Sequence, residues 1–273
     1  MSVFGRIEEL SSGNQPIRVV IIGSGNVAEA FARSLADTPN VELEQIMARN
    51  AERCKQVSAI GRCSCSTDPL QLAQADIYII SVSDRAVEGV ANSYNFPKEA
   101  IVVHTAGSVA MSAIPRPEHR GILYPFQSFS AGREISLKDV PIFVEADNEA
   151  VAAFLTMFAR RISTRVEYAD SARRTKIHLA GVFVNNFTNH LYSIANDIIA
   201  NEGLSFDLLH PIIAETASKA INSGNPTAVQ TGPAVRGDKA VTEKHLALIE
   251  NDILKSQIYK DITESIWETS KKI

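Results

Sequence analysis

The chain has 273 residues, 45% of them hydrophobic, enough for a sizeable core without disulfide staples. Its formal net charge of −4, with Lys and Arg spread along the sequence, leaves no footprint for sequence-independent nucleic-acid binding. No apolar run approaches the roughly 20 residues that a bilayer span needs, and Glu8 and Glu9 stand where a leader would be apolar. These features predict a cytoplasmic protein that binds neither nucleic acid nor a membrane. Cys54, Cys63 and Cys65 are odd in number and lack zinc-ligand spacing, so they read as reduced thiols and no metal is expected.

Residues 1–16, ending in Ser-Ser-Gly-Asn-Gln-Pro, read as a flexible tail. From Ile17 onward apolar strand-like runs alternate with helical patterns. The strands are "IRVVIIG", "VELEQIM", "DIYIISV" and "AIVVHT"; the helices run from Asn26 to Ala36, through "AERCKQVSAI" and through "RAVEGVANSY". Strands this uniformly apolar have no wet face, which argues for a mostly parallel sheet with helices on both sides. "GILYPF", "VPIFVEA" and "STRVEYAD", with a helix at "EAVAAFLTMFARR", extend the sheet to about residue 169. The predicted fold class is therefore α/β, with a Rossmann-like domain over 17–169 and an all-helical domain over 170–273.

In that second part Ala180, Val184, Phe187, Leu191, Ala195 and Ile198 recur every three or four residues, one face of a long helix. Gly203 reads as a C-cap, and Ser205 as the N-cap of a helix reaching about Ala220. "NSGNPTAVQTGPAVRGD", residues 222–238, is a Gly- and Pro-broken loop, after which helix resumes through "VTEKHLALIENDILKSQIYKDITESIWE".

Gly23-Ser24-Gly25-Asn26-Val27-Ala28 is a GxGxxA turn directly after a strand and opening a helix. The first glycine permits the tight turn, the second lets backbone approach a pyrophosphate, and Ala28 allows close helix–sheet packing. The helix N-terminus then offers free N–H groups and a positive dipole to phosphates. The second strand ends in Arg49-Asn50 rather than the acid that reads a ribose diol, which favours a 2′-phosphate and hence NADP.

With "IIGSGNVAEAF", "ARN", "SVSDRAV" and "HTAGS" in order, the first half resembles the dinucleotide-binding domain of pyrroline-5-carboxylate reductases and β-hydroxyacid dehydrogenases. "VVHTAGSV", "LYPFQSF", "IHLAGVFVNNF" and "TGPAVRGD" together resemble the NADP oxidoreductases that carry a helical DUF2520-type C-terminal domain. The resemblance implies a nicotinamide cofactor at the strand ends, substrate at the domain junction and a homodimer. It departs at Thr105-Ala106-Gly107, where relatives tend to have Ser-Gly, at Tyr124, where a His is common, and at Arg174, where a Lys is common.

Hydride transfer needs a polar group for the C=O or C=N and walls against water. Val82, Ser83 and Asp84 follow a strand and are candidates for the cofactor, with His104; Thr105 and Ser108 are candidate catalytic groups at the next strand end. In β-hydroxyacid dehydrogenases a Lys-x-x-x-Asn pair faces the substrate, and Arg174 and His178 occupy that spacing. His178, Asn185, Asn189 and Asn196 fall within about 20° of one line on a straight helix. The family resemblance favours Asn186 instead, so Asn185 and Asn186 both stand as candidates with His178. Tyr124, Gln127, Arg174 and Arg236 are the expected substrate contacts, the two arginines pointing to an anion. The leading reading is an NADP-dependent oxidoreductase acting on a small carbonyl, imine or hydroxy compound, and the rival is a non-catalytic NADP-binding sensor. A homodimer through residues after about 170 is expected from the amphipathic helices.

Overall fold

The structure, a computed structural model, describes residues 7, 9, 10, 15–116 and 118–272. Strand β1 (Ile17–Ile22) is almost wholly buried. Val19 and Ile21 enter the core on one face of the sheet, while Val20 and Ile22 enter a separate core on the other, as the two-residue alternation of a strand covered on both sides requires. It pairs in parallel with β2 (Val41–Met47) and with β4 (Ile77–Ile80). Around it lie β3 (Ser64–Ser66), β5 (Ile101–His104), β6 (Arg120–Pro125), β7 (Ile142–Ala146) and β8 (Val166–Tyr168), giving an eight-stranded sheet in the order β3-β2-β1-β4-β5-β6-β7-β8.

Among the described residues only β6 and β7 pair antiparallel. Their connection, 126–141, contains no crossover helix, and a parallel return needs one. Helices α1 (Asn26–Ala36), α2 (Ala51–Gly61), α3 (Val87–Ser93) and α4 (Glu149–Ala159) supply the cover. Phe31, Leu35, Phe154 and Phe158 pack on the Val19 face and Tyr78 and Ile114 join the Val20 face. The strand order runs outward in both directions from β1 and β4. Their C-terminal ends, at Gly23 and Ser81, therefore flank the crevice where sheets of this kind take ligands.

Most of the tail expected over 1–16 lies outside the described residues, but Ile7 and Leu10 are buried against the core. Strand β3 falls in the polar "GRCSCSTD" stretch, where no strand is expected; its three residues add to the β2 edge through backbone bonds, with little side-chain burial to mark it.

Compactness divides the chain into residues 1–186 and 187–273. Helix α5 (Ser171–Gly181) leads into a π-helical stretch, Val182–Phe187, and then α6 (Thr188–Ala200). Gly203, at φ +71°, follows α6, and Ser205 precedes a 3₁₀ turn, Phe206–Leu209, that runs into α7 (His210–Asn222). The 222–238 loop is more ordered than expected: it holds a 3₁₀ turn, Pro226–Val229, and a one-turn helix, α8 (Pro233–Arg236), between two positive-φ glycines, Gly232 and Gly237. The final helical stretch is two helices, α9 (Lys239–Leu248) and α10 (Ile253–Ser270). Asp238 and Asp252 cap them, accepting from the N–H of Val241 at 3.2 Å and of Lys255 at 2.9 Å. Among the described residues no helix is long and apolar enough to cross a membrane.

Candidate active site

Gly23 leaves β1 at φ +134°, and a Cβ there would lie 1.9 Å from the carbonyl oxygen of Ser81. Only glycine can make this turn. Gly25 is the N-cap of α1 and meets nothing within 4 Å where a Cβ would stand; no side chain caps the helix, so its first N–H groups stay available. Ser24 and Val27 are half-buried beside it, and the Asn26 amide anchors the turn by donating to the carbonyl of Phe129 at 3.0 Å. Arg49 is exposed and has no ion-pair partner among the described residues. Asn50 caps α2, accepting from the Arg53 N–H at 3.0 Å. Arg53, which the sequence reading missed, reaches back to the carbonyl of Ser24 at 3.3 Å and pairs with Glu29 at 2.9 Å, bracing the turn. A group with phosphates matches this donor set: an uncapped helix start, a glycine-lined approach and a free guanidinium.

Val82 and Ser83 follow β4, and Ser83 N-caps a 3₁₀ turn that begins at Asp84. Ser108 donates a hydrogen bond to the Asp84 carboxylate, tying the β4 and β5 ends together. Thr105, buried, lies 3.5 Å from the Ser81 hydroxyl. His104 is fully buried; its Nδ1 accepts from the Ala106 N–H at 3.2 Å, which leaves Nε2 to donate toward the Ala110 carbonyl at 3.4 Å. Burial pushes its pKa down to about 4, with the Arg174 charge adding to the effect, so the ring stays neutral.

A cavity of about 300 Å³ is lined by Tyr124, Phe126, Gln127, Ser128, His178, Asn185 and Asn186, all in the first unit. Tyr124 Oη and His178 Nδ1 are 3.1 Å apart on one wall. Two glycines allow the approach. A Cβ on Gly107 would lie 2.7 Å from both His178 Nδ1 and Tyr124 Cζ, and one on Gly181 would lie 2.7 Å from the Phe126 ring. The π-helical stretch explains why Asn185 and Asn186 share this lining: its wider turn breaks the 100° spacing on which the straight-helix line depended.

Arg174 does not line this cavity. It is 1% exposed, pairs with Glu145 and donates to the Val109 carbonyl at 2.5 Å, so it ties α5 to β7 and to the segment after β5. Ser171 completes the cluster, donating to Glu145 at 3.1 Å. Glu145 was detectable as the one carboxylate in the apolar run of β7, a position that needs a partner. Arg236 is exposed on α8, in the second unit. Among the described residues no group of three His, Cys, Asp or Glu could hold a metal ion.

Residues 18–107 match the family described as NADP oxidoreductase, coenzyme F420-dependent, and residues 140–266 match the domain of unknown function DUF2520. A protein of Bacteroides fragilis classed as an NADP oxidoreductase is 35% identical, with a TM-score of 0.83, the match covering 93% of this chain and 98% of that one. An imine reductase of a Pseudomonas species (16% identity, TM-score 0.63, covering 94% and 93%) shares the fold. So does a 1-pyrroline-5-carboxylate reductase of Streptococcus pyogenes (12% identity, TM-score 0.59, covering 94% and 99%). No match emerges among curated protein sequences. The chain belongs to the NADP oxidoreductase family in which a Rossmann-like domain is followed by a DUF2520 domain.

Proposed function

We propose that this oxidoreductase uses NADP to move a hydride to or from a small carbonyl, imine or hydroxy compound, held in the cavity beside His178. The observation that carries the reading is the presence, in one compact unit, of a phosphate cradle that only glycine can build and a polar cavity with a paired tyrosine and histidine. The start of α1 takes the pyrophosphate, and Arg49 with Asn50 takes the 2′-phosphate. Ser83, Asp84 and the end of β5 line the rest of the cofactor's path. When bound, the cofactor supplies the hydride.

The chain's own residues do the remainder. Gln127, Asn185 and Asn186 offer amide donors and acceptors to the substrate's polar atoms, and His178, paired with Tyr124, serves the reducible group directly or through that hydroxyl. Thr105 and Ser108 fix the adjoining strand end. Arg174 acts as scaffold, because Glu145 already meets its charge. All three cysteines are free, which fits action in the reducing cytoplasm.

A homodimer is part of this reading. Among the described residues of 187–273 none is buried, and Ile212, Ile221 and Leu248 are 64%, 79% and 82% exposed. Helices that bury no residue fully repay little of their ordering entropy, and a second copy is the simplest cover. Sedimentation should give about twice the 29.7 kDa chain mass at micromolar concentration; the monomer mass would overturn the dimer.

Calorimetric titration tests the cofactor assignment. NADPH should bind at least about tenfold tighter than NADH, roughly 1.4 kcal/mol, and Arg49→Ala should erase the difference. Equal affinities in the unaltered protein would overturn it.

A further inference from the structure

We propose that Tyr124 gives the proton to the oxygen of a carbonyl substrate and that His178 refills it, an inference that rests on the oxidoreductase reading above. The neighbouring proton carriers are already engaged. His104 is fully buried with both ring nitrogens turned to backbone. Thr105 is buried against Ser81, and Ser108 is spent on Asp84. Ser128 lines the cavity but has no titratable partner among the described residues. Tyr124 lines the same cavity, and its hydroxyl also has a proton reservoir 3.1 Å away.

The packing holds that hydroxyl in one place. Phe126 and Phe143 flank the ring at centroid distances of 6.1 and 6.3 Å, and Gly107 closes over it. With His178 Nδ1–H donating to Tyr124 Oη, the phenolic O–H is left free for the cavity. The carbonyl carbon gains the hydride, the C=O π pair moves to oxygen, and that oxygen takes the Tyr124 proton. The phenolate then takes the Nδ1 proton of His178 as Nε2 takes one from solvent, so the half-buried ring stays neutral and no imidazolate forms; exchange with solvent restores the Nδ1–H tautomer.

The acidity of the hydroxyl agrees with an oxygen acceptor at the cavity that Tyr124 lines. Burial, with the Asp84 charge adding to it, pushes the Tyr124 phenol up to about 12. Such an acid is stripped by an alkoxide, a far stronger base than a phenolate, and not by the weakly basic nitrogen of an imine, which must be protonated before it accepts hydride.

The test begins without substrate. In ¹⁵N-histidine spectra of the free protein, His178 should show a protonated Nδ1 whose resonance moves in Tyr124→Phe; an unprotonated Nδ1, or no response, overturns the relay. NADPH titration should then give equal affinity in the unaltered protein, Tyr124→Phe and His178→Asn. NADPH oxidation is followed with cyclohexanone, benzaldehyde and 2-oxobutanoate as carbonyls and 1-pyrroline as the imine. A carbonyl should be reduced, and Tyr124→Phe should lower kcat by about 10²-fold with KM within a few-fold; His178→Asn should lower kcat as well. Reduction of 1-pyrroline alone, no carbonyl reduced, or unchanged kcat in Tyr124→Phe overturns the proposal and leaves the cofactor reading standing. Failure of the unaltered protein to bind NADPH overturns both.

Discussion

Gly107 lies so close to His178 that a Cβ at residue 107 would stand 2.7 Å from the imidazole Nδ1, with the Tyr124 ring at the same distance. The backbone between β5 and β6 thus presses directly on the paired side chains, and a side chain at this position must displace one or both of them.

Gly107→Ala should therefore separate Tyr124 from His178. Turnover should fall by about 10²-fold, the cost of a misplaced acid–base group, while NADPH affinity stays within a few-fold because the glycine turn at 23–25 is untouched. Steady-state kinetics with calorimetry checks this, and unchanged kcat would show that the neighbours yield without consequence.

The Arg174–Glu145 pair should behave as a scaffold. Glu145→Gln leaves a guanidinium that is 1% exposed without its counter-charge, which should cost about 3–5 kcal/mol in urea denaturation. Arg174→Met combined with Glu145→Leu should recover most of that loss, since neither charge is then buried alone. Arg174→Lys with Glu145 intact should itself lose stability: one ammonium cannot hold both Glu145 and the Val109 carbonyl in the guanidinium's geometry. If the double variant is as unstable as Glu145→Gln, the cost lies in packing rather than in charge.

The sheet was legible because a strand such as Ile17–Ile22, hydrophobic on both faces, has few places to go, and because Gly23 and Gly25 stand where a strand must turn into a helix. β3 escaped notice because Ser64, Cys65 and Ser66 are held by the backbone of β2, which leaves no trace in side-chain pattern. The straight-helix wheel placed Asn185 in line with His178 and left Asn186 aside, whereas the π-helical stretch sets both around one cavity. A wheel of constant 100° steps contains no such insertion. Arg174 shows a different limit. Its spacing from His178 suggested a substrate contact, yet a cation one turn away on the same helix can equally face the sheet, and only the position of Glu145 on β7 decides between them.

His104 makes a pH prediction whose sign follows from burial. Its folded pKa is about 4, below the ordinary 6.5, so between these values the unfolded chain binds a proton that the folded chain refuses. Stability must then fall as pH drops from 6.5 toward 4 and level off below, by as much as about 3 kcal/mol from this residue. His104→Asn removes the titration whatever it does to stability at neutral pH. The measurement is urea denaturation of both proteins at intervals from pH 7 to pH 4, and the expected result is a gap in stability that narrows in favour of His104→Asn as the solution acidifies. A gap that stays constant would mean that His104 is not held neutral in the fold, and that the segment from Thr105 to Ala110 can open enough to let the ring take up a proton.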